Sequence, residues 1–435
     1  MSAASALLLT VWVGYFTALQ WSVVRYRLGI VVVVTAAAVL LGTALVRGWR
    51  PPAVPRGLLA AGLLSCALVT EAVPFFSYTT PGERRALAHV TAVGCVLAAA
   101  ALALPDGRRA RPQPRAVAAA IAVLTFIAGS AAAILLDRAP RIDVWVTLQQ
   151  ASDGLARGQN MYTMTWHDSP GIQDAFTYLP WTAVLVAPAR WLVGDVRWAL
   201  LLLAVVALAC MAALGRGRRG ALTAVTLLAV APGTITQSEQ AWTEPMLLAA
   251  IAGWALLVRR GHAWWAVVPL AVGCASKQHL AVLLPVLACW QAFGWRRVVA
   301  TAGLSGVLVL PWFVADPAAM WHDTVSLLVG FHPIRFANTL YLAARHELGW
   351  TPPFWLTGLV VLAVLVTACV AVRRRQPDLT ELLGWLALVL LVATLVNKQG
   401  FYNQYWLVGG LVALSLAASG GEVLDRLPRE NPAQA

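Results

Sequence analysis

Apolar runs of about 20 residues recur along almost the whole chain, and each is long enough to cross a bilayer as a helix. They do not alternate polar and apolar residues as barrel strands do. Charged residues make up only 12% of the sequence, about half the share of a soluble domain. The runs at 4–24, 28–46, 57–73, 87–104, 116–136, 198–214, 221–236, 243–258, 263–276, 280–294, 298–315, 354–372, 380–396 and 403–419 predict about 14 crossings. The expected fold is therefore an all-α polytopic membrane protein with long loops on one side. Segment 181–194 is also apolar, but it is short and contains Pro188 and Arg190. It reads as a half-helix that dips into the membrane or lies along it. The chain opens on an apolar run without a basic leader or a convincing small-residue cleavage site, so this run reads as a retained first helix.

The net charge of +13 does not point to nucleic acid, because the arginines cluster in short loops as the positive-inside rule expects. Arg47/Arg50/Arg56, Arg108/Arg109/Arg111/Arg115, Arg216/Arg218/Arg219, Arg259/Arg260, Arg296/Arg297, Arg373/Arg374/Arg375 and Arg426/Arg429 fall on one side of these spans. They are 19 of the 32 basic residues. That side is expected to face the cytoplasm, with both termini there, provided 181–194 does not cross. The protein is thus expected in the plasma membrane. The six cysteines all lie in apolar runs without paired spacing, which argues against a disulfide framework or a zinc site. The Pro/Arg-rich loop from Pro105 to Arg115 divides residues 1–115, an accessory four-helix region, from a functional core over 116–421. A tail, 422–435, follows.

The opposite face receives the polar segments: 137–180, the turn Gln237 to Glu244, Lys277-Gln278-His279, 316–353 and Asn397-Lys398-Gln399. The only two lysines, Lys277 and Lys398, are both there. Asp143 lies just past a span, near water yet against apolar walls. It can act as a general base toward a hydroxyl, or simply cap the next helix. Arg335 suits a bidentate grip on phosphate, with Lys277, Lys398, His279 and His332 as further donors. Snorkelling toward lipid headgroups is the plainer role for such residues. Glu239 and Glu244 flank Trp242, a pattern that suits sugar hydroxyls and a sugar face, or a solvated turn that starts a helix at Glu244-Pro245. Most of the 20 tryptophans fit an interfacial belt.

The absences are informative. There is no Walker-type loop and no His-Glu-x-x-His. There is also no Asp-x-Asp pair to hold a metal against a diphosphate. A nucleotide-driven pump, a nucleotide-sugar enzyme and a zinc protease are disfavoured. No cofactor is called for, and a divalent metal is not indicated.

Taken in order, the outer-face motifs resemble those of the GT-C superfamily of polytopic glycosyltransferases. They come closer to glycosyltransferase family 87, the actinobacterial group that uses polyprenyl-phosphate mannose. The resemblance runs over about 116–419. It rests on Asp143 after a span, Gly158-Gln159-Asn160-Met161-Tyr162, and Tyr178-Leu179-Pro180. It continues through the turn Gln237 to Glu244, Lys277, Pro333-Ile334-Arg335, and the run Phe401-Tyr402-Asn403-Gln404-Tyr405-Trp406. It implies an inverting transferase with Asp143 as base, and Arg335 and Lys277 at the donor phosphate. Around them, Glu239, Gln240, Glu244, Trp242, Asn160, Tyr162, Tyr178, Gln278, Asn338 and Asn403 are candidates for sugar or acceptor. The partners implied are a polyprenyl-phosphate sugar, membrane lipid, and a glycolipid, glycan, protein or natural-product acceptor. Where the pattern usually has Tyr-Pro-Pro this chain has Tyr178-Leu179-Pro180, and Gln278 stands where Pro is common after the lysine. A transporter or flippase for a lipid-linked or polar substrate is the alternative, and a non-enzymatic scaffold is a third reading.

Overall fold

The computed structural model describes residues 3–20, 22–73, 75–105 and 113–419. The expected tail and the arginines Arg108, Arg109, Arg111, Arg426 and Arg429 lie outside the described residues. Among the described residues every regular element is helical. Seven helices are long and apolar enough to cross a membrane: Ala3–Gln20, Leu28–Val46, Pro81–Leu102, Pro114–Leu136, Arg197–Leu214, Gly294–Ala315 and Phe354–Arg375. Shorter apolar helices include Trp181–Val193, Arg219–Ala229, Val267–Ser276 and Leu379–Leu395. The chain is a multi-pass membrane protein. Helices are what this composition permits, because every backbone polar group in hydrocarbon must be satisfied within its own segment.

Two of the long helices need lipid most plainly. The apolar window of Gly294–Ala315 is only 6% buried against the protein, and that of Phe354–Arg375 only 11%. Their Val, Leu, Phe and Trp side chains face outward. By contrast, Leu379–Leu395 and Tyr402–Ala418 are buried along most of their length. Tyr402–Ala418 packs against Leu379–Leu395, Arg219–Ala229, Glu244–Arg259 and Ala3–Gln20. Glycine permits this closeness: a Cβ at Gly409 would stand 2.5 Å from the Phe16 ring.

The first four helices share one continuous core with the rest. The Tyr15 hydroxyl donates to the Tyr405 carbonyl at 2.9 Å, and Trp49 Nε1 donates to Ser415 Oγ at 2.8 Å. These bonds tie residues 1–115 into the centre of the array. The fourth helix, Pro81–Leu102, starts with a Thr80/Glu83 capping box.

Several expected spans are interrupted, for local reasons. The run expected over 221–236 ends as helix at Ala229, because Pro232 lacks an N–H and Gly233 turns the chain with φ +78°. A five-residue helix, Ile235–Glu239, follows. The run 280–294 is a 3-10 turn, Gln278–Leu283, then the short helix Leu284–Cys289. Trp181–Val193 runs through Pro188 and stops at Gly194, φ +83°. At 13 residues it covers about 20 Å, too short to cross as drawn.

The arginine-bearing loops gather at one end. Arg375 donates to the carbonyls of Leu45 (3.0 Å) and Val46 (2.7 Å). Arg259 donates to the Ala418 carbonyl at 2.6 Å. The polar turns gather at the other end, and there the candidate site lies.

Candidate functional site

Asp143 is the first residue of the Asp143–Ala156 helix. Its Oδ1 accepts from the Val144 N–H at 2.8 Å, as a carboxylate at the positive end of a helix is apt to do. Oδ2 is left over, pressed close to Gly171. A Cβ built at Gly171 would stand 2.6 Å from it, so only glycine leaves that oxygen its place. Burial raises the Asp143 pKa above the ordinary carboxylate value, the shift a base needs to take a proton near neutrality.

Tyr178 lies within electrostatic reach of Asp143. Burial, with the carboxylates of Asp143 and Glu244 nearby, holds its phenol protonated, well above the ordinary value. The Lys277 ammonium sits 5.3 Å from the Tyr178 ring centroid and donates to Glu244 Oε1 at 2.6 Å. Lys277 occupies a break. The Val267–Ser276 helix ends at Ser276, Lys277 is extended (φ −146°, ψ 121°), and the 3-10 turn begins at Gln278. The Ser276 carbonyl freed there accepts from the Leu179 N–H (3.1 Å) and the Thr182 hydroxyl (2.5 Å). That pair of bonds brings Tyr178 up against Lys277.

Glu244 opens the Glu244–Arg259 helix and is fully buried. Its second oxygen, Oε2, has no well-formed hydrogen bond in the structure, although the Asn403 amide and the His279 ring lie close by. An unsatisfied buried carboxylate oxygen is costly, and one that faces polar neighbours is a ready acceptor for a ligand hydroxyl. Tyr178, Lys277, Glu244, His279 and Asn403 thus form one cluster from four stretches of chain, and Asp143, from a fifth, lies within electrostatic reach of Tyr178.

The other candidates make internal bonds. Glu239 is buried, and its Oε1 accepts from the Tyr78 N–H (2.8 Å) and the Ser77 hydroxyl (3.2 Å). Its other oxygen accepts from the Gln240 amide. Burial pushes the Glu239 pKa up to about 7. Trp242 stacks on Tyr402 at 5.7 Å. Asn160 caps the turn Met161–Thr163, and the Tyr162 hydroxyl donates to the Tyr178 carbonyl at 2.9 Å. Gln278 donates to the Thr177 and Thr324 carbonyls. Asn338 is buried and binds the carbonyls of Ser22 and Arg25 and the N–H of Arg27. Lys398 donates to the carbonyls of Val329 (2.8 Å) and Phe331 (2.6 Å). Asn338 and Lys398 therefore fasten the 329–340 loop. Arg335 and His332 are exposed on that loop, His332 stacked on Phe331 at 4.5 Å. Phe336 touches Phe401 at 5.5 Å, two residues from Asn403.

Sequence reasoning did not single out the pair that braces this end. Arg197 is fully buried and grips Asp195 with Nε and Nη2, at 3.0 and 2.6 Å from Oδ2. It also donates to the carbonyls of Asp137 (2.6 Å), Ile134 (3.3 Å) and Glu239 (3.4 Å). Trp145 Nε1 donates to Asp195 at 3.2 Å. One guanidinium so links the end of Pro114–Leu136, the helix carrying Asp143, and the turn that precedes Glu244. Tyr78, Gly171 and Asp323 were also passed over. Asp323 accepts from the Phe176 N–H at 2.7 Å and fixes the strand of loop that leads to Tyr178.

No family model matches the sequence, and no curated protein matches it. Among solved structures, the chain is similar to ArnT from Cupriavidus metallidurans in the apo state (17% identity, TM-score 0.43). It is similar to the same protein bound to undecaprenyl phosphate (16% identity, TM-score 0.43). Each similarity covers 70% of this chain and 60% of ArnT, so the chain matches less than two thirds of the length of those structures.

Proposed function

We propose that this chain is an inverting membrane glycosyltransferase that moves a sugar, mannose by the motif resemblance, from a polyprenyl-phosphate donor to an acceptor hydroxyl. The observation that carries the reading is the Tyr178–Lys277–Glu244 group, with the Asp143 carboxylate within electrostatic reach of Tyr178, at the polar end of a membrane helix array. By the arginine distribution that end faces away from the cytoplasm. The acceptor hydroxyl gives its proton to Asp143 Oδ2 as its oxygen bonds to the anomeric carbon. The bond from that carbon to the phosphate oxygen breaks with its electron pair, releasing polyprenyl phosphate. Lys277 and Arg335 would meet the charge that develops on the phosphate. Glu244 Oε2 and Asn403 are the acceptor and donor available to sugar hydroxyls.

The test is sugar transfer from polyprenyl-phosphate mannose by purified protein in lipid. Asp143→Asn is expected to lose about 10²–10⁴ in rate with its unfolding temperature unchanged. Full activity in a folded Asp143→Asn protein would falsify the assignment of the base. A transporter or flippase is the second reading, favoured by one feature: the helix broken at Lys277, as ion and substrate sites in transporters often are. Alternating accessibility of cysteines introduced around Lys277 from both sides of the membrane would support it over transfer chemistry.

A further inference from the structure

The far end of the array holds a different site. A cavity of about 1070 Å³ opens among the loops there, and Arg50, Arg56, Arg115, Arg216, Arg218 and Arg219 line it. Among the described lining residues the one carboxylate is Asp378, and its Oδ1 is committed to capping its own helix at the Glu381 N–H (2.9 Å). Arg115 is buried and held in place by the Thr223 hydroxyl (2.7 Å) and the Val54 carbonyl (2.5 Å). Arg56 and Arg219 are close enough to repel it. Arg50, Arg56 and Arg218 have further partners. Arg216 and Arg219 are exposed. Arg216 is held at φ +49°, a conformation that is uncommon for a side chain without special local bonding. Four helices also begin at this cavity: Arg56–Ala72, Pro114–Leu136, Arg219–Ala229 and Leu379–Leu395. Their positive ends add to the potential. Arg115, held only by neutral groups, and the exposed Arg216 and Arg219, with these helix starts, favour an anion in this space.

A second hollow says what else the anion carries. A groove of about 400 Å³ runs between Ala3–Gln20 and Leu28–Val46, lined by Leu7, Leu8, Val11, Ala37, Leu40 and other apolar side chains. The groove and the cavity share Arg50 and Pro52. A ligand that spans both is cationic-seeking at one end and hydrocarbon at the other. A soluble phosphate would use the first part only. We propose that the two together bind one anionic phospholipid, its phosphate among the arginines and an acyl chain in the groove between the first two helices.

The full-length protein can be reconstituted with phosphatidylglycerol or with phosphatidylcholine, and the lipid retained on extraction counted by native mass spectrometry. One phosphatidylglycerol per chain is expected to persist, in preference to phosphatidylcholine. The double variant Arg216→Gln/Arg219→Gln should hold it about 30-fold more weakly, from two lost surface charges. Ala37→Phe fills the groove and should weaken phosphatidylglycerol retention while all arginines remain. Retention of both lipids equally, or of phosphatidylglycerol undiminished in the double variant, overturns the proposal. So does displacement of the lipid by millimolar inorganic phosphate combined with unchanged retention in Ala37→Phe, which would mark a soluble-anion site.

Discussion

At the Asp143 end of the molecule, charge is met by opposite charge at close range: Lys277 by Glu244, and Arg197 by Asp195. At the arginine end, six guanidiniums share a cavity with one carboxylate that is already occupied as a cap. The first arrangement fixes side chains so that little moves when a reaction develops charge. The second gathers cations around one hollow, where Arg50, Arg56 and Arg218 have further partners and Arg216 and Arg219 are exposed. The contrast separates the site proposed for transfer from the site proposed for an anionic lipid.

The largest test of the contrast is at Arg197. Removing it, as Arg197→Met, strands Asp195 and frees three carbonyls in a buried setting. Stability is expected to fall by about 3–5 kcal/mol, the usual cost of breaking a buried pair, seen as a lower unfolding temperature. Lys277→Ala should cost slightly less, because its side chain keeps 12% exposure. Adding Glu244→Leu to a Lys277→Met variant should recover most of that loss while transfer stays abolished. If the double variant is as unstable as Lys277→Ala, the pair is not an isolated unit.

A smaller effect is expected at Gly171. Gly171→Ala must push Asp143 Oδ2 aside, and a misplaced base costs about 10²-fold in rate. Its unfolding temperature should barely change, which separates it from Arg197→Met. The same base sets a pH limb. The proposed base role requires Asp143 ionised, so on that proposal activity should fall as pH drops through its folded pKa, which burial places above the ordinary carboxylate value. The profile of kcat/KM measures this.

Smallest is the response of Glu239. Its folded pKa, about 7, lies above the ordinary 4.5. Folding therefore favours the protonated acid. The associated stability is complete below pH 4.5 and fades as pH rises toward 7. Glu239→Gln keeps the shape without the ionisation and should flatten that part of the stability profile.

Much of the fold was legible because hydropathy reports lipid contact directly. The runs 198–214 and 354–372 reappear as Arg197–Leu214 and Phe354–Arg375. Breaks inside apolar runs were harder, since Pro232-Gly233 interrupts a helix without lowering its hydropathy. In the site, Lys277 and Glu244 stood out as rare charges between spans. What their spacing could not reveal is that they meet, because the Lys277 break and the freed Ser276 carbonyl decide that in three dimensions. Asp195 and Arg197 lie in the short link between segment 181–194 and the run 198–214, where nothing in their spacing marks a buried pair, and Ser77 and Tyr78 fell in a region set aside as accessory. Residues 1–115 were set apart as accessory by their fewer outer polar residues and the Pro/Arg-rich loop from Pro105 to Arg115. Their packing depends on apolar and small residues such as Phe16 against Gly409, a match of shapes that composition does not record.

The two nearly bare helices, Gly294–Ala315 and Phe354–Arg375, bracket the segment that carries Arg335. With much of their apolar surface turned to lipid, they are expected to answer a change in bilayer thickness by tilting. A thinner bilayer leans both posts over and lowers the bridge between them. Turnover should therefore respond to acyl-chain length in reconstituted membranes, even with every residue of the cluster unaltered.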